Sequence, residues 1–218
     1  FIAELKGYIM ENRIFERTEL LLGSKTQVAL AEVKVILFGV GGVGSWCAES
    51  LIRSGVRFLT LVDMDCVDVT NINRQLMATT ETIGQVKVEV LKDRLLAINP
   101  KAAISVLHKR YTPESSVDFN LSSYDYVIDA IDSIVDKADL LERTCNRTEA
   151  VIFSSMGAAL KVDVNRIQTA EFWNVTGCPL AASLRRRFRK SNIKLNRAIN
   201  CVFSDEKYTP KNDIKSHL

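Results

Sequence analysis

The chain has 218 residues, is 47% hydrophobic and 25% charged, and carries a formal net charge of +3. This length can bury the core of one domain, with or without a small appendage. No run of about 18 apolar residues is present, which excludes a membrane-spanning helix. Five dispersed cysteines without a CxxC pair, and only two histidines, argue against a disulfide framework and a zinc site and indicate a reducing, cytoplasmic compartment.

Helical and strand patterns alternate along the chain. The segment Glu11–Leu30 predicts a helical arm with a break at Gly23, within an N-terminal arm of residues 1–32 whose start at Phe1 we interpret as truncated or processed. The next strands are predicted at Val33–Phe38, Arg57–Asp63, Ile104–Leu107, Tyr124–Ala130 and Ala150–Ser154. The helices between them are predicted at Ser45–Arg53, Ile83–Ile98 and Asp136–Asn146. This alternation predicts an α/β, Rossmann-like, doubly wound and mostly parallel sheet with its crevice at the carboxyl ends of the strands.

The pattern changes beyond Gly157. Lys161–Ala170 predicts an antiparallel strand, Leu180–Lys190 a basic helix and Asn200–Phe203 a late strand, which we interpret as a C-terminal extension of one domain spanning residues 33–218. Residues 185–197 carry seven cations and no acid, so the rest of the chain is net acidic. A basic segment on an acidic body indicates a local contact with an anion.

The sequence Gly39-Val40-Gly41-Gly42-Val43-Gly44 lies between the first predicted strand and its helix. In that context a GxGxxG pattern lets the backbone approach a phosphate at the amino end of the helix. Asp63 ends the second strand 19 residues after Gly44, the spacing at which a carboxylate binds ribose hydroxyls. These features predict an adenine nucleotide, and on their own they favour NAD at least as much as ATP.

Three features favour ATP. Arg74 follows the second strand, and Lys87 lies early in the next helix. Asp129 and Asp132 close the fourth strand and are expected to place two carboxylates at the mouth of the crevice. Transfer at a triphosphate requires cations and a carboxylate-bound Mg²⁺, whereas a dinucleotide carries only two phosphate charges. Taken singly, Arg74 is more often a surface ion pair and Lys87 a solvated helix residue. Asp129 is compatible with a helix cap, and Asp65 and Asp68 fit turn positions as well as metal ligands. It is the conjunction at the strand ends that predicts a site.

Residues 13–205 resemble the ubiquitin-activating-enzyme-like adenylyltransferase superfamily, which includes the thiamine- and molybdopterin-pathway adenylyltransferases. The matching positions are Arg17, Gly39–Gly44, Asp63–Asp65, Asn71–Gln75, Lys87 and Asp129–Asp132. Within that superfamily, Asp129–Ser133, Pro179–Ala181 and Cys201–Ser204 are most similar to the dehydratases that act on threonylcarbamoyladenosine in tRNA.

The resemblance implies the roles of individual residues. Those implied to bind ATP are Gly39, Gly41, Gly42, Gly44, Asp63, Asp65, Asn71, Arg74 and Lys87. Asp132 is implied to lie beside Mg²⁺ and the phosphates. Arg17 resembles an arginine that reaches into the partner's site, which implies a homodimer, and Arg17, Arg74, Lys87 and Asp132 form the implied catalytic set.

The implied reaction begins with adenylation of the threonine carboxylate of the modified nucleoside, with release of pyrophosphate. The ureido group of the same nucleoside then closes a ring, with net loss of water. Because the nucleophile is tethered, no catalytic cysteine is required, and we interpret Cys201 as a small buried residue.

The basic segment fits a tRNA substrate. The cations implied to contact its phosphates are Arg185, Arg186, Arg187, Arg189 and Lys190, with Phe188 available for stacking. A solvated linker is the alternative.

Several positions depart from the family pattern where the nucleoside or tRNA is expected to lie: Met77, Ala159, Leu160, Val164 and Cys178.

Three other functions stay open at this point. An adenylyltransferase for a small sulfur-carrier or ubiquitin-like protein would use the same ATP site, although the missing CxxC pairs and the basic helix argue against it. An NAD-dependent oxidoreductase would bind NAD without exchanging pyrophosphate. A non-catalytic nucleotide- or RNA-binding module would not need Arg17, Arg74, Lys87 and Asp132.

Overall fold

The computed structural model describes residues 13–207, in which helices pack on both faces of a seven-stranded sheet. The strands are β1 Lys34–Phe38, β2 Phe58–Asp63, β3 Ala103–His108, β4 Tyr126–Asp129, β5 Val151–Ser155, β6 Ile167–Glu171 and β7 Asn200–Ser204. The helices are α1 Glu16–Leu22, α2 Ser24–Glu32, α3 Gly44–Ser54, α4 Lys87–Ile98, α5 Ile134–Arg147 and α6 Pro179–Lys190.

The strand order is β3-β2-β1-β4-β5-β7-β6, and only the β6–β7 pair is antiparallel within this sheet. β1 lies where the order of the strands reverses, with β2 on one side and β4 on the other. At such a switch point the connections after neighbouring strands leave towards opposite faces, which opens a crevice at the carboxyl ends. The predicted α/β sheet with an antiparallel C-terminal pair is therefore confirmed.

The sheet separates two apolar cores. Ala48 and Ile52 of α3 pack with Leu91 of α4 on one face, while Leu141 of α5 and Phe188 of α6 belong to the core on the other. Because both faces are covered, β1 is buried along nearly its whole length, as parallel central strands usually are. This rigid centre fixes the positions from which the crevice loops start.

After the arm, two predicted elements begin four or more residues later in the structure. The helix predicted from Ile83 begins only at Lys87, because Gly84 has a φ of +82° and Val86 is extended. The strand predicted over Lys161–Ala170 is confined to β6, since the preceding residues 164–166 form a 3₁₀ turn. In both cases a turn occupies the first residues of the predicted element.

The helical arm breaks at Gly23, as predicted, with a φ of +83° there. Residues 1–12 of the predicted arm lie outside the described part of the chain. The two arm helices contain no buried residue, and Leu20, Leu21 and Val28 are exposed on them. Across residues 13–207, every helix is too short or too polar to cross a lipid bilayer.

Candidate active site

The turn after β1 depends on glycine at its two ends. Gly39 has a φ of +84°, and a Cβ there would lie 2.7 Å from the carbonyl oxygen of Ala130. A Cβ on Gly44 would lie 1.8 Å from the carbonyl oxygen of Gly39, so this residue closes the turn against α3. Gly44 is absent from the cleft lining described below, and its position assigns it to packing of the turn rather than to ligand approach.

A cleft of about 780 Å³ opens beyond this turn, at the carboxyl ends of β1, β2 and β4. The predicted nucleotide residues that line it are Gly39, Gly41, Gly42, Asp63, Asp65, Asn71, Arg74, Lys87 and Asp132. They come from five separate stretches of the chain and meet because parallel strands end at the same edge of the sheet. The volume is of the size that nucleotide-like ligands occupy in proteins.

Asp63 joins the glycine turn to the loop after β2. Its Oδ2 accepts a hydrogen bond from the N–H of Val40 at 2.8 Å, and its Oδ1 accepts one from the N–H of Asp65 at 2.9 Å. The carboxylate is half-buried at the cleft wall, so it is held in place and retains free lone pairs. This geometry suits a residue that accepts hydrogen bonds from a ribose.

Arg74 presents a guanidinium at the cleft without a carboxylate among its hydrogen-bond acceptors. Its Nη1 donates to the carbonyl oxygen of Thr70 at 2.8 Å and to Oδ1 of Asn73 at 3.1 Å. Its aliphatic stem packs over Gly42, where a Cβ would come within 3.4 Å of Arg74 Cγ. The glycine turn and this cation are thus adjacent, which is what a phosphate site requires.

Lys87 is the first residue of α4 and is almost fully buried beneath the cleft. Its Nζ donates to Oδ2 of Asp65 at 2.8 Å, and Asp65 is half exposed. The side chain of Asn71 accepts a hydrogen bond from the N–H of Asp68 at 3.0 Å and so shapes the loop between them. The sequence predicted Lys87 at the rim of the crevice; the structure places it in the lining, nearly buried, and shows an ion pair with Asp65 that the sequence did not reveal.

The opposite wall carries cations that sequence reasoning missed. Lys109, Arg110 and Tyr111 follow β3 and line the cleft. Arg110 donates from Nη2 to Oδ2 of Asp136 at 2.8 Å, and this hydrogen bond, followed by the charges of Asp136 and Asp132, raises the pKa of the guanidinium. No motif marks this stretch, and only the position of β3 at the edge of the sheet brings it to the cleft.

Asp132 is exposed at the mouth of the cleft, on the turn between β4 and α5. Beneath that turn, Asp129 and Lys137 form an ion pair at 2.7 Å, and both side chains are 0% exposed. Asp129 also accepts from Ser154 Oγ at 2.6 Å and from the N–H of Ile131 at 3.0 Å. Asp129 is therefore not a helix cap, and the expectation that it joins Asp132 at the mouth of the cleft is wrong, because its side chain is sealed in an ion pair.

Other contacts complete this turn. Lys137 donates to the carbonyl oxygen of Ile131 at 2.9 Å, so the buried pair holds both backbone groups of that residue. Ser133, not Asp129, occupies the N-cap position of α5, and its Oγ lies 3.5 Å from the N–H of Asp136. The turn that carries Asp132 is consequently held in place by the buried Asp129–Lys137 pair.

The residues present fit a nucleotide. Gln75 lines the cleft and is buried, yet its Oε1 has no hydrogen-bond partner among residues 13–207, which leaves an acceptor for a ligand. Residues 13–207 contain no cluster of three metal-ligating side chains. A single carboxylate such as Asp132 still fits Mg²⁺, because that ion keeps water and phosphate oxygens among its ligands.

Arg17 is exposed on α1 and is not among the described residues that line the cleft. The cations of the basic segment 185–197 lie on α6 and in the residues after it. Leu180, in the first turn of α6, lines the cleft. Arg197 is committed elsewhere, since its guanidinium donates to the carbonyl oxygens of Thr144 at 2.7 Å and Ala150 at 2.9 Å.

Several expectations about substrate-side residues are wrong. Phe188 is fully buried on the apolar face of α6, so it is unavailable for stacking. Met77 and Cys178 are also core residues, and they are not among the described residues that line the cleft. Cys201 is buried as expected, and burial raises the pKa of its thiol to about 12. Of the remaining departures, Ala159 lines the cleft, and Leu160 and Val164 are exposed.

Comparison with known proteins gives three findings. The model of the ThiF family matches residues 15–203. The tRNA threonylcarbamoyladenosine dehydratase of Bacillus subtilis is 43% identical over 192 residues, which cover 88% of this chain and 74% of that protein. The crystal structure of the Escherichia coli tRNA N6-threonylcarbamoyladenosine dehydratase in complex with ATP superposes with a TM-score of 0.82 at 38% identity, covering 88% of this chain and 81% of that one.

A more distant relative represents the carrier-protein alternative. The sulfur carrier protein adenylyltransferase of Thermus thermophilus is 36% identical over 112 residues, which cover 51% of this chain and 41% of that protein. The molybdopterin-synthase adenylyltransferase of Escherichia coli matches 81% of this chain and 66% of its own length, at 30% identity. The dehydratase of Bacillus subtilis is thus distinguished from these adenylyltransferases more by its 43% identity than by the share of the chain that it covers.

Proposed function

The chain belongs to the ThiF family, and we propose that it is an ATP-dependent enzyme that dehydrates threonylcarbamoyladenosine in tRNA, next to the anticodon. The observation that carries this proposal is the cleft in which the glycine turn, Arg74, Lys87 and Asp132 meet. The similarity to the Bacillus subtilis dehydratase, 43% identical over 88% of the chain, supports this substrate class. ATP is favoured over NAD because Arg74 offers a cation that no carboxylate among its hydrogen-bond partners neutralises.

The residues of the cleft divide into two groups by their position. Asp63, held by Val40 and Asp65, would bind the ribose. Gly41, Gly42, Arg74 and Lys87 would surround the phosphates, where they stabilise the negative charge that develops as pyrophosphate leaves. Asp132 would hold Mg²⁺, which supplies further neutralisation of the phosphates when bound.

The substrate's own groups perform the bond changes. The threonine carboxylate attacks the α-phosphorus of ATP, and the bond to pyrophosphate breaks. The ureido group then attacks the activated carbonyl, loses its proton and expels AMP, so the nucleoside loses one water overall. Because the attacking group is tethered, the protein needs to position it and exclude water rather than supply a nucleophile. The buried, high-pKa thiol of Cys201 fits this requirement.

A homodimer with Arg17 reaching into the partner's cleft is part of the proposal. The arm helices α1 and α2 have no buried residue, and Leu20 and Leu21 are about four-fifths exposed. Apolar side chains exposed in such a group are typical of a surface that another molecule covers. A second copy would bury this arm and carry Arg17 to the neighbouring site.

The basic helix α6 would contact tRNA, in a cytoplasmic setting consistent with five free cysteines. Its buried face is formed by Ala181, Leu184 and Phe188, so the cations that remain exposed share the opposite side. They are Arg186, Arg187, Arg189 and Lys190, while Arg185 is half-buried. Phosphate contacts by such a face would make tRNA binding strongly dependent on salt.

The proposal is tested by incubating the chain with ATP, Mg²⁺ and tRNA that bears threonylcarbamoyladenosine, followed by mass spectrometry of the nucleosides. We expect an ATP-dependent loss of one water from that nucleoside. The Asp132→Asn variant serves as the inactive control. If the nucleoside mass stays unchanged while the chain adenylates the C-terminus of a sulfur-carrier protein, the carrier-protein function replaces the one proposed.

A further inference from the structure

An exposed tryptophan lies against the basic helix. Trp173 belongs to the 3₁₀ turn Phe172–Asn174, which precedes α6, and it is 40% exposed. The guanidinium carbon of Arg189 lies 5.6 Å from the centroid of its indole ring. The other tryptophan, Trp46, is 54% exposed, but it lies on α3 and its indole N–H donates to the carbonyl oxygen of Arg74 at 3.1 Å.

The tryptophan is held in place by its neighbours. Its backbone N–H donates to Oε2 of Glu171 at 2.7 Å, and its ring meets the buried ring of Phe172 edge to face at 5.2 Å. Arg185 donates to the carbonyl oxygen of Phe172 at 3.0 Å and so ties α6 to the same turn. The ring is therefore presented on a rigid support, which lowers the entropic cost of stacking on it.

The surroundings of the ring are those of a nucleic-acid contact. Arg186, Arg187 and Lys190 are exposed on the same helix as Arg189, and cations flanking an aromatic ring are the arrangement that binds single-stranded bases and their phosphates. Glu171 is the nearest acid that the contacts identify, and its carboxylate accepts from the backbone of the turn. The buried Phe188 cannot take this role.

The position relative to the cleft suits an anticodon loop. Leu180 lines the cleft and Arg189 lies nine residues further along α6. At about 1.5 Å per residue this separation is roughly 14 Å, which corresponds to about four nucleotides at the 3.4 Å spacing of stacked bases. A nucleoside in the cleft could thus belong to the same loop as a base at Trp173.

We propose that Trp173, flanked by Arg189, is a stacking platform for an unpaired base of the tRNA anticodon arm, a role that rests on the proposed function. The cations of α6 contact the phosphates on either side of that base. Stacking and phosphate contact have different signatures, because only phosphate contact changes the salt dependence of binding.

The first experiment measures tRNA affinity by filter binding over a range of salt concentrations. For Trp173→Ala we expect affinity to fall roughly tenfold with the slope against salt unchanged. Trp173→Phe keeps an aromatic face and should stay within about threefold of the original affinity. Replacing Arg186, Arg187 and Lys190 with Ala should reduce the salt slope by about two, whereas Arg53→Ala, an exposed cation on α3, should leave it unchanged.

A second measurement uses the intrinsic fluorescence of the chain, which contains only two tryptophans. Binding of tRNA should quench emission in the original chain by more than in Trp173→Phe, where Trp46 alone reports. Equal affinity of the original chain and Trp173→Ala, or equal quenching with and without Trp173, would overturn the platform. If both proteins nevertheless dehydrate the nucleoside, the proposed function stands; if the original chain neither binds tRNA nor dehydrates it, both proposals fail.

Discussion

Two lysine–carboxylate pairs flank the cleft, and they differ in their access to water. Lys137 and Asp129 lie 2.7 Å apart with both side chains 0% exposed. Lys87 and Asp65 lie 2.8 Å apart, but Asp65 is 50% exposed while Lys87 is 5% exposed. The first pair is sealed beneath the turn that carries Asp132, whereas the second opens into the cleft itself.

This difference indicates separate roles for the two pairs. A sealed pair cannot exchange its partner for a substrate, so Lys137 and Asp129 serve the structure of the turn. In the open pair, water can solvate Asp65 when Lys87 turns to a phosphate, so the lysine can change partners at modest cost. We therefore propose that the sealed pair supports the site, whereas Lys87 of the open pair binds a phosphate in it.

The largest expected effect is on stability, from Lys137→Met. Removing the cation leaves Asp129 charged or unpaired in a sealed interior, which we expect to cost about 3–5 kcal/mol of unfolding free energy. Urea unfolding followed by circular dichroism measures this change. The double variant Asp129→Leu, Lys137→Met should recover much of the loss; unchanged stability in Lys137→Met would remove the distinction between the pairs.

Asp132→Asn tests the turn that the sealed pair supports. We expect turnover to fall by at least about 100-fold, because the Mg²⁺ and phosphate charges lose their carboxylate partner at the mouth of the cleft. The unfolding free energy should remain within about 0.5 kcal/mol of the original, since the side chain is exposed. Single-turnover dehydration and urea unfolding of the same preparation measure both quantities, and full activity would contradict the assigned site.

Lys87→Met is the counterpart of Lys137→Met in the open pair. Its loss should reduce turnover about 100-fold through lost phosphate binding but cost no more than about 1.5 kcal/mol of stability, because the remaining Asp65 is solvated. The comparison is made by measuring ATP-dependent pyrophosphate exchange and urea unfolding for both lysine variants. If Lys87→Met destabilises the fold as much as Lys137→Met, the two pairs are not distinct.

The smallest effect is expected from Cys201→Ser. The thiol is buried and its pKa is raised to about 12, so almost none of it is thiolate between pH 7 and 9. Near-normal turnover is expected, together with alkylation of exposed Cys66 but not of Cys201 in the folded chain. Peptide mass spectrometry after treatment with iodoacetamide identifies the labelled thiol. Complete loss of activity in Cys201→Ser would indicate a thiol mechanism instead.

The predicted set at the strand ends could be derived from sequence because its geometry is local. Gly39, Asp63 and Asp132 each follow an apolar run, and parallel strands bring such ends to one edge. Arg110 could not be found this way, since no motif marks the loop after β3. The sealed partner of Asp129 was missed too, because a lysine eight residues later on a helix has no distinctive pattern.

The sequence pattern of α6 predicted the basic helix correctly but not the orientation of Phe188. The basic character and length of the helix follow from residues 179–190. Which residue faces the core depends on how the helix is rotated against the sheet. Phe188 packs inward with Leu184, and the accessible aromatic ring is that of Trp173, which lies outside the basic segment in sequence.

The sequence by itself determined the order of strands and helices, the glycine turn and the charged residues at the strand ends, because these depend on periodicity, turn chemistry and the rules of parallel sheets. Only the tertiary structure decided which of those charges are sealed and which open into the cleft. Burial and pairing arise from contacts between segments far apart in the chain, such as Ser154 on Asp129, or Arg189 on Trp173. Residues of the same type, such as the two lysines, therefore differ in burial and in proposed role although their sequence patterns do not distinguish them.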